Sequence, residues 1–318
     1  MPTTLLAVKL VSEPKALNVR ICSFLPSATE ILYALGLGEA VAGVTYECDF
    51  PPEVRGKPVV VHTRLAASGS AEIDRRVKEF VATGESLYRV DLETLSRLAP
   101  DLIITQDLCH VCAASPGDLP EALARLPQRP RVVSLTPKTL SEVFGDIRRL
   151  GEATGRAAAA AELVAQLESE GAEVDRAVAN RPQPRVLCLE WLDPPYVGGH
   201  WVPEMVARAG GLDVLGRASE PSRQLTFEEI LATRPEVVVL MPCGYGLAQT
   251  VEEFRRTKFP TAWSTLPAVV TGRLFAVDAN SYFSRPGPRL VTGLRLLASF
   301  FHPDAAPFSP PPDAAAAL

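Results

Sequence analysis

Three cysteines stand directly after apolar runs that have the composition of buried strands. Cys109 and Cys112 form a CxxC motif, and Cys243 follows a second such run. Thiolates at this spacing bind zinc or act as a redox dithiol. One CxxC is only half of a structural zinc site. A redox dithiol needs a thiolate of low pKa, and His110 is the one cationic neighbour that the motif has in the sequence. Two interpretations stay open: a metal or redox site built from three thiols, and ordinary small buried cysteines, which the sequence favours.

Aromatic side chains are concentrated in two loops rich in Pro and Gly, residues 193–201 and 281–289. Aromatic rings beside a few fixed polar groups are what a large, partly apolar ligand requires. Each ring taken singly is equally well explained as a cap on a hydrophobic core. Because the rings occur in loops and not in strands, the pattern favours a binding site.

Two glutamates occupy equivalent positions in an internal repeat. Residues 91–105 align without gaps onto residues 226–240, each copy being a capping residue, a short helix, a proline, an acidic residue and a buried strand. Glu93 and Glu228 then lie in the first turn of each helix, where a carboxylate stabilises the helix dipole. On matching faces of two lobes they are also a pair of docking charges for a basic partner, and both interpretations are kept.

Motifs of common enzymes are missing from the sequence: it has no G-x-S-x-G, no H-E-x-x-H, no P-loop and no G-x-G-x-x-G after the first strand. Its four histidines, at 62, 110, 200 and 302, include no pair at metal-ligand spacing. The net charge is −5 and no run of Lys and Arg reaches five residues, which argues against nucleic acid as a partner. We therefore predict a protein that is not an enzyme and requires no cofactor.

Strands alternate with helical patterns along most of the 318 residues. This alternation predicts an α/β fold with two Rossmann-like lobes of mostly parallel strands. An Ala-rich, charged stretch at 156–180 predicts one helix of about 35 Å that joins the lobes. The predicted domains are an N-terminal lobe at 19–155, the connecting helix, a C-terminal lobe at 181–303 and a disordered tail at 304–318.

The N-terminus gives the only sequence clue to the compartment. The apolar stretch 4–11 is interrupted by Lys9, with no basic region before it and no small-x-small cleavage site after it. As written from Met1, the sequence predicts a cytoplasmic protein with reduced cysteines, and a periplasmic or extracellular one only if the start is mis-assigned. No apolar run approaches the roughly 20 residues that span a bilayer.

Three segments together resemble a known family. They are RICSFLPSATEI at 20–31, GVTYECDFPP at 43–52, and residues 95–100 before a strand. The sequence resembles the iron-siderophore/cobalamin substrate-binding proteins of ABC importers, most closely the cobalamin-binding branch, over about residues 19–303. The resemblance implies two α/β lobes joined by one long helix, with the ligand in the cleft between them.

The resemblance also implies site residues. Those expected to line the cleft are Pro26, Ser27, Tyr46, Glu47, Tyr88, Gln106, Tyr196, Trp201, Tyr282, Phe283 and Arg285. Glu93 and Glu228 fall where the family carries acidic residues that meet arginines of the transporter. The chain departs from the family in lacking a visible export signal and in carrying Cys109 and Cys112.

The main hypothesis is a monomeric protein that binds a corrinoid and delivers it to an ABC importer or another acceptor. One alternative is a cytosolic metal-binding or redox protein that uses Cys109, Cys112 and Cys243 on the same scaffold. The other alternative is a binder of iron-siderophore or haem.

Overall fold

A computed structural model describes residues 19–65, 67, 69–106, 126, 128–305 and 308–318. These residues form two mostly parallel sheets covered by helices, which confirms the predicted fold class. Apolar clusters lie on both faces of each sheet, because the central strands carry Val, Ile and Leu on both sides. The N-terminal region at Thr4–Val11 lies outside the described residues.

The first sheet has the strand order β4-β3-β2-β1-β5-β6, and β4 is its only antiparallel strand among the described residues. Helices of this lobe follow the strands in βα units. The elements are β1 (Ile21–Ser23), α1 (Pro26–Ala34), β2 (Val41–Thr45), β3 (Val59–Thr63), α2 (Ser70–Thr83), β4 (Tyr88–Val90), α3 (Leu92–Leu98), β5 (Leu102–Gln106) and β6 (Arg131–Leu135).

Two helices, α4 (Leu140–Ala153) and α5 (Ala157–Val178), then connect the lobes. The second sheet has the order β10-β8-β7-β11-β12-β13, with β9 paired to β7. Its elements are β7 (Arg185–Leu192), β8 (Pro195–Val197), α6 (Val202–Arg208), β9 (Leu212–Asp213), β10 (Arg223–Gln224), α7 (Phe227–Thr233), β11 (Val237–Leu240), α8 (Leu247–Arg256), α9 (Pro267–Val270), β12 (Leu274–Val277), α10 (Ala279–Tyr282), α11 (Leu290–Phe301) and β13 (Ala315–Ala317).

The internal repeat is present in the structure as two corresponding helix–strand units, α3–β5 and α7–β11. The Asp91 carboxylate accepts a hydrogen bond from the Thr94 N–H at 3.0 Å, and the Thr226 hydroxyl accepts one from the Glu229 N–H at 3.2 Å. Each helix ends in a left-handed residue directly before proline. Matching caps at both ends give the two lobes the same loop geometry.

The long helix α5 forms as predicted, and α4 packs beside it. Along α4, Leu140 and Val143 belong to the core of the C-terminal lobe, whereas Phe144 and Ile147 belong to the core of the N-terminal lobe. Gly151 leaves no room for a Cβ against α5, which permits the two helices to approach closely. Both connecting helices therefore take part in both cores, and the proposed domain boundaries stay a prediction.

The prediction of a disordered tail is wrong at its end. Residues 315–317 form β13, which pairs antiparallel with β12, and Ala314 before them is buried. The run of alanines has no apolar alternation, so the sequence gives no strand signal there. Pairing depends instead on backbone hydrogen bonds to the exposed edge of β12.

Within the described residues, no helix combines the length and the apolar character that crossing a membrane requires.

Candidate functional site

A cavity of about 60 Å³ lies between the lobes, at the edge where the carboxyl ends of parallel strands meet. Gln106 ends β5, and Cys243 follows β11, its counterpart in the repeat. Open α/β sheets bind ligands at this edge because the loops after the strands converge there. The described lining residues are Gln106, Glu190, Gly199, His200, Trp201, Val202, Met241, Cys243, Phe283, Ser284 and Pro286.

On one side of the cavity, a cluster of charges joins the lobes. Glu30 of α1 is 4% exposed and accepts two hydrogen bonds from Arg289, at 2.8 and 2.6 Å, and one from Arg285 at 3.1 Å. Arg285, itself 7% exposed, also donates to Asp49 at 2.6 Å and to the backbone carbonyl of Glu47 at 2.8 Å. Charge-assisted hydrogen bonds of this kind fix geometry because breaking one leaves a buried charge unpaired.

On the other side, the first turn of α2 contacts the C-terminal lobe. Ser70 donates its backbone N–H to the Glu253 carboxylate at 2.9 Å, and its hydroxyl also bonds to that carboxylate. The Trp191 indole donates to the Ser70 carbonyl at 3.1 Å. Lining residues stand beside both polar contacts, Ser284 and Pro286 next to Arg285 and Glu190 next to Trp191, so both contacts that join the lobes adjoin the cavity wall.

Of the residues predicted for the cleft, Gln106, Trp201 and Phe283 line the cavity. Trp201 and Phe283 are largely part of the C-terminal core, and the Trp201 indole donates to the Phe283 carbonyl at 2.8 Å. Only part of each ring is therefore available to a ligand. That the indole already has a partner inside its own lobe was not visible from its place in an aromatic loop.

A second group of predicted residues lies around the charge cluster. Ser27 is buried near Gly287, and Pro26 begins α1. The Tyr46 hydroxyl donates to the Glu47 carboxylate at 3.0 Å. Arg285 is a member of the charge cluster, through its hydrogen bonds to Glu30 and Asp49. Tyr282 is half-buried beside the Arg289 guanidinium. The members of this second group are Pro26, Ser27, Tyr46, Glu47, Tyr282 and Arg285.

Two predicted residues lie elsewhere. The Tyr196 hydroxyl lies 3.2 Å from the Asp74 carboxylate of α2, so it belongs to the second interlobe contact. Tyr88 is buried in a core cluster of the N-terminal lobe with Phe24 and Leu95, and it is not among the residues that line the cavity.

Burial changes the proton affinity of several groups near the cleft. It lowers the pKa of His200, with Lys138 acting in the same direction, so the imidazole lining the cavity is neutral near pH 7. Burial also raises the pKa of Glu47 and that of Tyr46. The His200 imidazole is therefore a neutral hydrogen-bonding group in the cavity wall, and Glu190 is the carboxylate among the described lining residues.

The cysteines give no support to a metal site in the described region. Among the described residues, no three His, Cys, Asp or Glu side chains gather as metal ligands. Burial raises the pKa of Cys22 to about 12 and that of Cys48 to about 11, so these thiols are protonated. Cys243 lines the cavity, whereas Cys109 and Cys112 lie outside the described residues, and the site predicted from all three stays a prediction.

Glu93 and Glu228 are exposed at the second position of α3 and α7. Within the described part of the chain, neither carboxylate has an ion-pair partner, whereas neighbouring Glu229 closes a capping box and pairs with Arg223. Two solvated carboxylates thus stand at equivalent places on the two lobes.

Several residues that shape the site were not singled out from the sequence. Glu30 and Arg289 stood in quoted segments but carried no motif of their own. Ser70 and Glu253 are 183 positions apart and had no signal at all. A glutamate inside the apolar face of α1 was the one available clue, because a buried carboxylate needs a cationic partner.

The model of the periplasmic binding protein family matches residues 21–281. A substrate-binding lipoprotein of an ABC transporter from Bacillus subtilis, YvrC, is 27% identical over 93% of this chain and 83% of its own length. A vitamin B12-binding protein from Vibrio cholerae is 24% identical over 88% of both chains. The structure of the periplasmic haem-binding protein RhuT from Roseiflexus is 26% identical, with a TM-score of 0.66 over 91% of this chain and 99% of that one.

These matches cover both lobes and the connecting helices. They confirm the resemblance to substrate-binding proteins of ABC importers that the sequence suggested. The chain belongs to the periplasmic binding protein family.

Proposed function

We propose that the protein binds a metal-containing tetrapyrrole, first of all a corrinoid, in the cleft between its lobes and delivers it to an ABC importer. The observation that carries this proposal is the cavity itself, where Gln106 of the N-terminal lobe faces aromatic and polar side chains of the C-terminal lobe around one space. Such surroundings suit a large ligand that is apolar on its faces and polar at its rim.

Relatives support the choice of ligand class. The Vibrio cholerae relative is named a vitamin B12-binding protein, and the Roseiflexus neighbour is named a haem-binding protein. Both ligands are planar macrocycles that hold a metal, so the class has better support than either member. The corrinoid is placed first because of the sequence resemblance at 20–31 and 43–52, and haem is the second candidate.

The size of the cavity sets a condition on binding. Pockets for ligands of ordinary size measure about 300 to 1,000 Å³, far above the 60 Å³ between the lobes here. A tetrapyrrole therefore enters only when part of the cleft wall moves. The polar contacts beside the cavity determine which part of the wall moves, because the wall can move only where such a contact breaks.

Delivery needs a surface that an importer recognises. The solvated pair Glu93 and Glu228 has the symmetry for this, because the two α/β lobes present them on equivalent helices. Exposed carboxylates of this kind attract arginines and raise the rate of association. The compartment stays a prediction.

The proposal is tested by titrating the purified protein with cyanocobalamin, haemin and a ferric siderophore in parallel. We expect one molar equivalent of cyanocobalamin to bind with submicromolar affinity. Tight binding of haemin alone would move the assignment to haem, and failure of all three ligands to bind would contradict the proposal. Stoichiometric zinc in the purified protein, without affinity for any tetrapyrrole, would support the cysteine alternative.

A further inference from the structure

Among the described helices of the N-terminal lobe, α2 is the least buried of the long ones. Of its 14 residues only Ser70 is buried, with 0% of its surface exposed. Val77 and Phe80 are half-buried against the core of their own lobe, and Val81 is 62% exposed. Few apolar contacts therefore hold α2 to the sheet beneath it, and segments with few such contacts open at low cost.

Several polar contacts of α2 are made to the other lobe. Its N-cap residue, Gly69, has no side chain to bond the first turn. Glu253 of α8, itself only 7% exposed, supplies the missing acceptor for the N–H and hydroxyl of Ser70. A carboxylate at a helix N-terminus stabilises the first turn through both hydrogen bonding and the helix dipole.

Further contacts extend along the helix. The Tyr196 hydroxyl lies 3.2 Å from Asp74, and the Lys78 ammonium donates to Gln224 at 3.3 Å. Trp191 donates to the Ser70 carbonyl and comes directly after Glu190, a residue of the cavity wall, in the sequence. Its ring packs edge-on against Tyr245, with 5.5 Å between the ring centroids. The helix is thus bonded to the C-terminal lobe along its length, and one of these contacts adjoins the cavity wall at Glu190.

Both ends of α2 have backbone that can act as a pivot. Gly69 before it has φ 83° and Gly84 after it has φ 70°. Glycine adopts such angles without steric cost and changes them readily. Residues that absorb large changes in φ and ψ at the ends of an element are where hinged motions occur.

We propose that α2 is a gate of the interlobe cleft and that Glu253 holds this gate shut by capping the helix from the opposite lobe. Opening separates the Glu253 carboxylate from Ser70, which removes the cap from the first turn, and it releases Trp191, whose neighbour Glu190 lines the cavity. The charge cluster of Glu30, Arg285 and Arg289 stays intact, so the lobes keep their relative position while α2 moves.

The gate is tested without any ligand by hydrogen–deuterium exchange. In Glu253→Ala we expect the backbone amides of α2 to exchange at least about ten-fold faster, because a hydrogen bond to a charged group is lost. Amides of α3 report the integrity of the lobe and are expected to exchange as in the unmodified protein. Glu252→Ala is the matched control, since Glu252 is exposed on α8 beside Glu253 and, in the described part of the chain, pairs with Arg256 alone, at 2.9 Å.

A second variant tests whether faster exchange in Glu253→Ala comes from the loss of the contact with α2 and not from a general loss of stability. Trp191→Phe keeps an aromatic ring but removes the donor to the Ser70 carbonyl, and we expect faster exchange in α2 here as well. Equal exchange of α2 in Glu253→Ala, Trp191→Phe and the unmodified protein would overturn the gate. Faster exchange in α2 and α3 alike would also overturn it, because the contact would then stabilise the whole lobe.

A further consequence rests on the proposed function. If only the open form admits a tetrapyrrole, Glu253→Ala increases the open fraction and speeds the association of cyanocobalamin by about ten-fold. Slower or unchanged association in Glu253→Ala would overturn the gate as a barrier to entry. Absence of cyanocobalamin binding in both proteins would contradict the proposed ligand, while the exchange experiment still decides the gate.

Discussion

The charge cluster predicts a specific loss of stability when Glu30 is replaced by glutamine. The variant keeps the shape of the side chain but removes the charge that two arginines share, at 2.6 to 3.1 Å. Arg285, 7% exposed, then has Asp49 as its only carboxylate in the described part of the chain. Removing one partner of a buried ion pair costs about 3 to 5 kcal/mol. Because the glutamine oxygen still accepts a hydrogen bond, we expect a loss of about 2 to 4 kcal/mol.

The assay is urea unfolding followed by tryptophan fluorescence. All three tryptophans, Trp191, Trp201 and Trp263, lie in the C-terminal lobe, whereas Glu30 lies in the N-terminal lobe. A shift of the fluorescence transition in Glu30→Gln therefore measures coupling between the lobes. Glu39→Gln is the control, because that glutamate is exposed. A loss below about 0.5 kcal/mol, equal to the control, would refute the view that this cluster joins the lobes.

Four other predictions follow. Trp201→Ala is expected to weaken cyanocobalamin binding about 30-fold in equilibrium titration, because part of the indole lines the cavity, and unchanged affinity would show that the site is misplaced. Charge reversal of both Glu93 and Glu228 to Lys is expected to abolish transfer of ligand to the importer without changing affinity, whereas normal transfer with a lower melting temperature would leave them only a helix-stabilising role. Small-angle scattering with and without ligand is expected to give nearly the same radius of gyration, because two helices join the lobes, and a large decrease would contradict this. Burial raises the pKa of Asp146 to about 6, so the folded state binds more protons than the unfolded state and the free energy of unfolding falls as the pH rises from about 4 to 6. In urea titrations, Asp146→Asn is therefore expected to gain about 1 to 2 kcal/mol of stability at pH 7.5 and nothing below pH 4. Equal gains at both pH values would contradict the assignment.

Much of the fold was accessible from the sequence because local patterns determine it. The two βα units of the repeat have their caps, prolines and apolar strands in the same order, so Asp91 and Thr226 were identifiable as helix starts. The helix at 157–178 was visible from its Ala-rich composition. The strand at 315–317 was not, because an alanine run carries no alternation and pairs through its backbone alone.

The candidate site was only partly accessible, since its walls depend on how two lobes meet. Trp201 was found from its aromatic loop and Gln106 from the family resemblance, but the sequence does not show that Trp201 turns most of its ring into the core. Contacts such as Glu30 with Arg285, or Ser70 with Glu253, join residues 255 and 183 positions apart. No local periodicity sets such a distance, and only the packed lobes bring these side chains together.

The central claim is that the cleft between the lobes holds the ligand, and Cys243 offers the most direct test. Its thiol lines the cavity and is partly exposed, whereas Cys22, Cys48 and Cys188 are buried. The rate at which N-ethylmaleimide modifies Cys243 is measured by peptide mass spectrometry with and without saturating cyanocobalamin. Occupation of the cleft predicts a decrease of at least about ten-fold on saturation, and an unchanged rate at full saturation would place the ligand elsewhere and contradict the claim.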